Sequence, residues 1–189
     1  PRLCRDWSSD VCSSDLFLTF IKTKDSRNNE EAFGYPIDCV ASSQGDIFVI
    51  DSEAMRIVKF DALANYSMNF GGFESGSFAI NKPKDFTFSK QNILVVLDEK
   101  NLLFFDTFGT GIIKIPLPKK FNSVKTIADN LLLTSDDAIY LGKIVANEIH
   151  LIKLDLSGDF ENTEFISALS FNNKLYLLTS NNILVFNAE

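Results

Sequence analysis

From Tyr35 onward the chain reads as short apolar runs of about five or six residues, divided by clusters of Gly, Asn, Asp and Ser. Runs of that length between turn-forming residues predict β-strands joined by hairpins. In "GDIFVID" (Gly45 to Asp51), Ile47 and Val49 alternate with Phe48 and Ile50, so both faces of the predicted strand are apolar. Such a strand needs cover on both sides, which places it within stacked sheets. No segment carries a helical period with caps; "NEEAFGYP" is short and meets Pro36.

The pattern repeats. "YPIDCVASSQGDIFVIDSEAMRIVKFD" (Tyr35 to Asp61) and "KPKDFTFSKQNILVVLDEKNLLFFD" (Lys82 to Asp106) share one plan. Each opens on Pro-x-Asp, passes through a polar turn into a strand ending in Asp, turns again and closes on Phe-Asp. Pro36 to Pro83 and Asp51 to Asp98 are both 47 residues apart. The apolar template returns with weaker punctuation in Val124 to Ile144 and in Ile166 to Phe186. There "LLTSDDAIYL" lies over "LLTSNNILVF" at an offset of 45. A period of roughly 40–50 residues holding about four short strands is the signature of a β-propeller blade. The fold class expected is all-β: about four blades of four-stranded antiparallel sheets, forming an open arc rather than a closed ring.

The Pro-x-Asp opening, "GDIFVID", Arg56-Ile57 and "KFD" resemble the NHL-type propeller repeat, as does the linker "FGGFESGSFAINKP" (Phe70 to Pro83). Ala54 and Met55 stand where that family usually has Asn, and the later repeats lack Pro-x-Asp. The resemblance implies a ring of six blades, which at this period needs about 250 residues. Blades are expected at 34–70, 80–116, 122–155 and 163–189, with 17–33 the closing strand and exit loop of a preceding blade. Missing N-terminal blades are expected, with an exposed edge on the N-terminal side of the arc.

The opening "RDWSSDVCSSDL" (Arg5 to Leu16) has no apolar period, no helix cap and no metal-type cysteine spacing. It resembles a translated short-read sequencing adapter, so residues 1–16 are read as an artefactual or disordered segment and set aside. Cys4, Cys12 and Trp7 leave the argument with it, and Cys39 becomes the sole cysteine. One thiol makes no internal disulfide and selects no compartment; a bacterial envelope or secreted location fits as well as any other. A signal sequence would lie further upstream.

Composition narrows the function classes. The formal charge is −7 and no basic stripe is present, so a nucleic-acid footprint is not expected. No apolar run approaches the length of a membrane-spanning helix. His150 is the only histidine and sits in a strand-like segment, so no catalytic set, metal site or cofactor is expected from this part of the chain. "DLSGDFENTE" (Asp155 to Glu164) is loosely like a calcium loop but carries Phe160 where glycine is needed, and reads as a polar connection. Gly71, Gly72 and Gly76 read as turn glycines, since no Lys-Ser/Thr or helix follows. Cys39, alternating with Ile37, reads as a small buried apolar residue. Asn65-Tyr66-Ser67 has the form of a glycosylation acceptor.

Four residues stand as ligand-binding candidates on the loop face: Asp51, Arg56, Asp98 and Asp136. Asp51 and Asp98 end the second strand of their repeats and either meet a ligand or cap an Asx-type turn. Arg56 is spaced to reach Asp51 or a neighbouring blade. The function expected is a non-catalytic scaffold presenting inter-blade loops to a protein, peptide or glycan. The alternative is part of a propeller lyase or lactone hydrolase whose catalytic residues lie in further blades. A third reading is a sensor or adhesion domain of a larger envelope protein.

Overall fold

The computed structural model describes residues 21–24, 29–156, 160 and 163–187. The segment read as an adapter, residues 17–20 and most of the loop 157–162 lie outside them.

The strands run in chain order, each sheet folding back on itself. A two-stranded ribbon, β1 (Thr23–Lys24) and β2 (Glu30–Glu31), comes first. Blade one holds β3 (Pro36–Ala41), β4 (Ile47–Asp51), β5 (Arg56–Phe60) and β6 (Tyr66–Phe70). After a 3-10 turn over Phe73–Phe78, blade two holds β7 (Pro83–Phe88), β8 (Leu94–Asp98), β9 (Asn101–Phe105) and β10 (Gly111–Pro116). Blade three holds β11 (Ser123–Ile127), β12 (Asn130–Thr134), β13 (Ile139–Val145) and β14 (Glu148–Lys153). Blade four has three strands, β15 (Phe165–Phe171), β16 (Lys174–Thr179) and β17 (Ile183–Asn187). All pairings are antiparallel. The first strands β3, β7, β11 and β15 stand side by side in order and form the inner wall of an open β-propeller arc.

Three apolar cores hold the arc together, one at each interface between blades. Phe48, Ile50 and Ile57 of blade one meet Leu94, Val96, Leu103 and Phe105 of blade two. The opposite face of blade two, Val95, Leu97, Leu102 and Phe104, meets Leu131 and Leu133 of blade three. Leu132 and Ile139 then meet Leu175 and Leu177 of blade four. Successive residues of one strand therefore serve two different cores, which is why these strands are apolar on both faces.

Register corrects one detail of the repeat. Blades three and four superpose at an offset of 44, not 45: Leu133 pairs with Tyr140 as Leu177 does with Leu184. Ser135 N–H donates to the Ala138 carbonyl at 2.8 Å, and Thr179 N–H donates to the Asn182 carbonyl at 2.9 Å. Matching letters favoured 45, but a one-residue slip would put every side chain on the wrong face.

On the N-terminal side of the arc Phe33 packs on Phe60 at 6.1 Å between ring centroids and Lys24 lies over the Tyr66 ring, so that face is covered near its outer strands and open at Cys39 near the inner wall. A bare apolar face lies at the other end, on blade four. One further expectation is overturned. Cys39 is exposed rather than buried, since it pairs with Val49 on the face of blade one turned away from blade two.

Candidate functional site

Because β3 and β5 run in one direction and β4 and β6 in the other, Pro36, Asp51, Arg56 and Phe70 all lie at one end of blade one, here called the upper rim. The same holds for Pro83, Asp98, Asn101 and Pro116 of blade two. All four candidate residues therefore gather on one rim of the arc, on loops that a rigid sheet presents.

The two strand-end aspartates are committed chiefly to the backbone. Asp51 is fully buried, and its carboxylate accepts the Gly34 N–H at 3.1 Å and the Tyr35 N–H at 2.9 Å. Asp98 does the same for Asn81 at 3.1 Å and Lys82 at 2.6 Å. Each ties the chain leading into the first strand to the end of the second, so these aspartates do not cap the turn that follows them. Arg56 reaches Asp51 Oδ2 at 3.4 Å and donates to the Lys24 carbonyl at 3.5 Å, fastening the ribbon to blade one. Asp136 accepts from the Asn122 side-chain amide at 2.6 Å, and the same amide donates to the Phe165 carbonyl of blade four.

The closing Phe-Asp of the first two repeats has a local role. Asp61 accepts N–H bonds from Leu63 and Asn65, and Asp106 accepts them from Phe108 and Thr110. The Asn65 side chain holds Asp61 Oδ2 at 3.0 Å, and these bonds keep the Asp61 carboxyl below its ordinary range. His150 is exposed on the outer strand β14. In the calcium-like loop, Ser157, Asp159 and Glu161 lie outside the described residues. Among the described residues no three His, Cys, Asp or Glu side chains converge as metal ligands, and no helix is long and apolar enough to cross a membrane.

A charged cluster that sequence reasoning missed lies on the inner strands. Lys125 of β11 contacts Asp85 of β7 at 2.6 Å and Asp38 of β3 at 3.6 Å, linking three blades. Asp85 also accepts the Phe86 N–H at 2.8 Å and, across the blade boundary, the Val124 N–H at 2.9 Å. Burial pushes the Asp85 carboxyl up to about 6, against the pull of the Lys125 ammonium. Asp38 and Asp85 are the aspartates of the two Pro-x-Asp motifs, each at a bulge where its strand starts. Their ladder positions in blades three and four are held by Ser123 and Ser167. The motif was visible in the sequence; its lysine partner was not.

The upper rim also exposes apolar side chains. Tyr35, Met55 and Phe73 stand out on adjacent loops, Phe73 almost wholly solvent-exposed. Beside them Lys82 and Lys120 flank Glu99 at 3.5 and 3.7 Å, and Lys82 chiefly holds that carboxyl below its ordinary range.

No protein-family model matches the chain, and no curated protein matches it in sequence. Solved structures do match in fold. Virginiamycin B lyase from Staphylococcus aureus superposes with a TM-score of 0.58 at 13% identity, over 87% of this chain and 61% of that one. A putative exported protein from Bacteroides fragilis gives 0.59 at 15% identity, over 92% and 55%. The Pan2 WD40 domain of Neurospora crassa gives 0.59 at 10% identity, over 80% and 48%. The chain thus spans about half to three-fifths of the length of these structures. Sheets, inner wall and neighbours agree on one architecture, an all-β propeller arc, and in this chain buried carboxylates pin upper-rim loops.

Proposed function

We propose that this chain is a non-catalytic propeller scaffold whose upper-rim loops bind a protein or peptide. The observation that carries this reading is the contrast on that rim between buried and exposed groups. Asp51 and Asp98 spend their carboxylates on main-chain N–H groups, whereas Tyr35, Met55 and Phe73 project into solvent from the loops so anchored. Rigid loops with exposed aromatic anchors suit recognition, because little conformational freedom is lost on binding. Asp51, Arg56, Asp98 and Asp136 then support the binding surface. The NHL-type motif and a six-bladed ring for the complete protein belong to the same proposal, and a glycan remains an outcome of its test.

Panning a displayed peptide library on the full chain, with a glycan array as the second arm, tests it. The expected result is peptides with at least micromolar affinity that lose tenfold or more against Tyr35→Ser with Phe73→Ser. Binders indifferent to that double variant, or glycan binding alone, would overturn the peptide reading.

The likeness to virginiamycin B lyase supports a second reading, in which the chain is part of a propeller lyase or lactone hydrolase with its catalytic residues in other blades. Lyase or lactonase turnover by the full gene product, absent from this chain alone, would establish it over the scaffold reading.

A further inference from the structure

Every blade but one places a phenylalanine at the same point of its third strand. Four residues on from the first paired residue of that strand stand Phe60 (after Arg56), Phe105 (after Asn101) and Phe186 (after Asn182). The same count from Ala138 in blade three gives Gly142. Each phenylalanine turns toward the segment that precedes its blade. Phe60 meets Phe33 at 6.1 Å, Phe105 meets Phe70 at 5.2 Å, and Phe186 meets Phe160 at 5.8 Å, measured between ring centroids.

At Gly142 the ring is missing, and the interface of blades two and three opens there into a cleft of about 240 Å3. Its walls are apolar: Val95, Phe104 and Ile113 from blade two, Leu131 from blade three. Ile144 stands at the mouth, 37% exposed. Gln91 and Asn130, on the two lower-rim turns, edge the opening with amide groups. Asp129 beside them is engaged by Lys90 at 3.8 Å. Ile149 and Leu133 close over the glycine itself, since a Cβ there would lie 2.9 and 3.1 Å from their Cδ1 atoms, and the cleft runs beside them. An enclosed apolar cavity of about 150 Å3 already accepts benzene, so the volume here suffices for one ring.

We propose that this cleft is a binding site for a small uncharged aromatic molecule, a phenyl ring bearing a short polar arm. The ring takes the place, at the same kind of blade interface, of the phenylalanine that the other blades supply themselves, lying beside Ile149 against a similar aliphatic and aromatic wall. The cleft is larger than one ring, so the arm has room to reach the amides of Gln91 and Asn130. An uncharged ligand is specified because the wall offers no free counter-charge: Asp129 is already paired with Lys90.

Benzyl alcohol titrated into the full chain, followed by methyl NMR of its Ile and Leu residues, tests the proposal. The expected result is saturable shifts at Ile93, Ile113, Leu131 and Ile144 in the low-millimolar range. Gly142→Phe combined with Ile149→Ala refills the cleft, and Ile144→Trp plugs its mouth from a surface position; each should weaken binding at least tenfold. Ile183→Lys, on the bare face of blade four, should leave it unchanged. Shifts that never saturate, shifts centred on Leu178 and Ile183, or full affinity in Ile144→Trp would overturn the site. If the refilled variant fails to fold, Ile144→Trp decides alone.

Discussion

Blades two and four are written in the same alphabet and end in opposite surroundings. On the forward face of blade two, Val95, Leu97 and Leu102 are fully buried against blade three. At the matching ladder positions of blade four stand Tyr176, Leu178 and Ile183, with Val185 matching Phe104. There Leu178, Ile183 and Val185 are 42%, 66% and 52% exposed. The rear face of blade one is intermediate: Val58 and Phe60 are buried, with Phe33 against Phe60, while Cys39 on the same face is exposed. A two-faced apolar strand is thus an instruction to stack, and its energy is realised only where a neighbour is present.

The largest expected effect breaks that contrast directly. Phe105→Ala, within the core of blades one and two, should cost about 3–5 kcal/mol, whereas Val185→Ala should cost less than about 1 kcal/mol. Urea unfolding followed by far-ultraviolet circular dichroism measures both, and equal losses would mean that blade four is covered in solution.

Next come the ties at the upper rim. Asp98→Ala removes the acceptor of two part-buried N–H groups and should cost about 1–3 kcal/mol. Thr179→Ala, at the same ladder position in blade four, removes a hydroxyl that serves only its own turn. Its loss should stay near 1 kcal/mol, so the ratio of the two separates inter-segment ties from local ones.

A pH series sharpens the role of the inner strands. Asp85 titrates at about 6 in the folded protein and at its ordinary 3.8 when exposed, so between those values the folded state binds the extra proton. Its contribution is therefore fully present below pH 4 and is lost as pH rises through 6. Asp85→Asn should flatten the stability profile in that window, and Lys125→Met should shift the midpoint upward by removing the ammonium that holds the carboxylate down. An unchanged slope in Asp85→Asn would place the titrating group elsewhere.

The smallest effect on stability should come from Leu169→Lys with Ile183→Lys, both on the bare face and expected to stay within about 0.5 kcal/mol each. Sedimentation should nevertheless show less self-association, since exposed apolar sheet surface drives it. Persistent association would assign it to another surface.

The repeat was legible because turns and alternation are local: Pro36 and Pro83, Asp51 and Asp98, and the Phe-Asp closures all announce the same unit. What escaped was anything that depends on the facing blade. Asp38 and Asp85 were visible as motif residues, but Lys125 lies in a repeat that lacks the motif, and only the adjacency of β3, β7 and β11 brings the three together. Asp51, Asp98 and Asp136 share one rim, and their bonds to Gly34, Asn81 and Asn122 run to residues 14–17 positions away. Cys39 alternates like a core residue and still faces solvent, because alternation tells which residues share a face and not whether that face is covered.

By itself the sequence determined the strands, their turns and the recurrence of a four-strand unit, since each follows from backbone preferences over a few residues. Only the tertiary structure decided which faces are dry, which carboxylates are spent on backbone, and that Gly142 leaves an opening where other blades place a ring. Burial and electrostatics belong to pairs of surfaces, and a surface meets its partner only when the blades stand side by side.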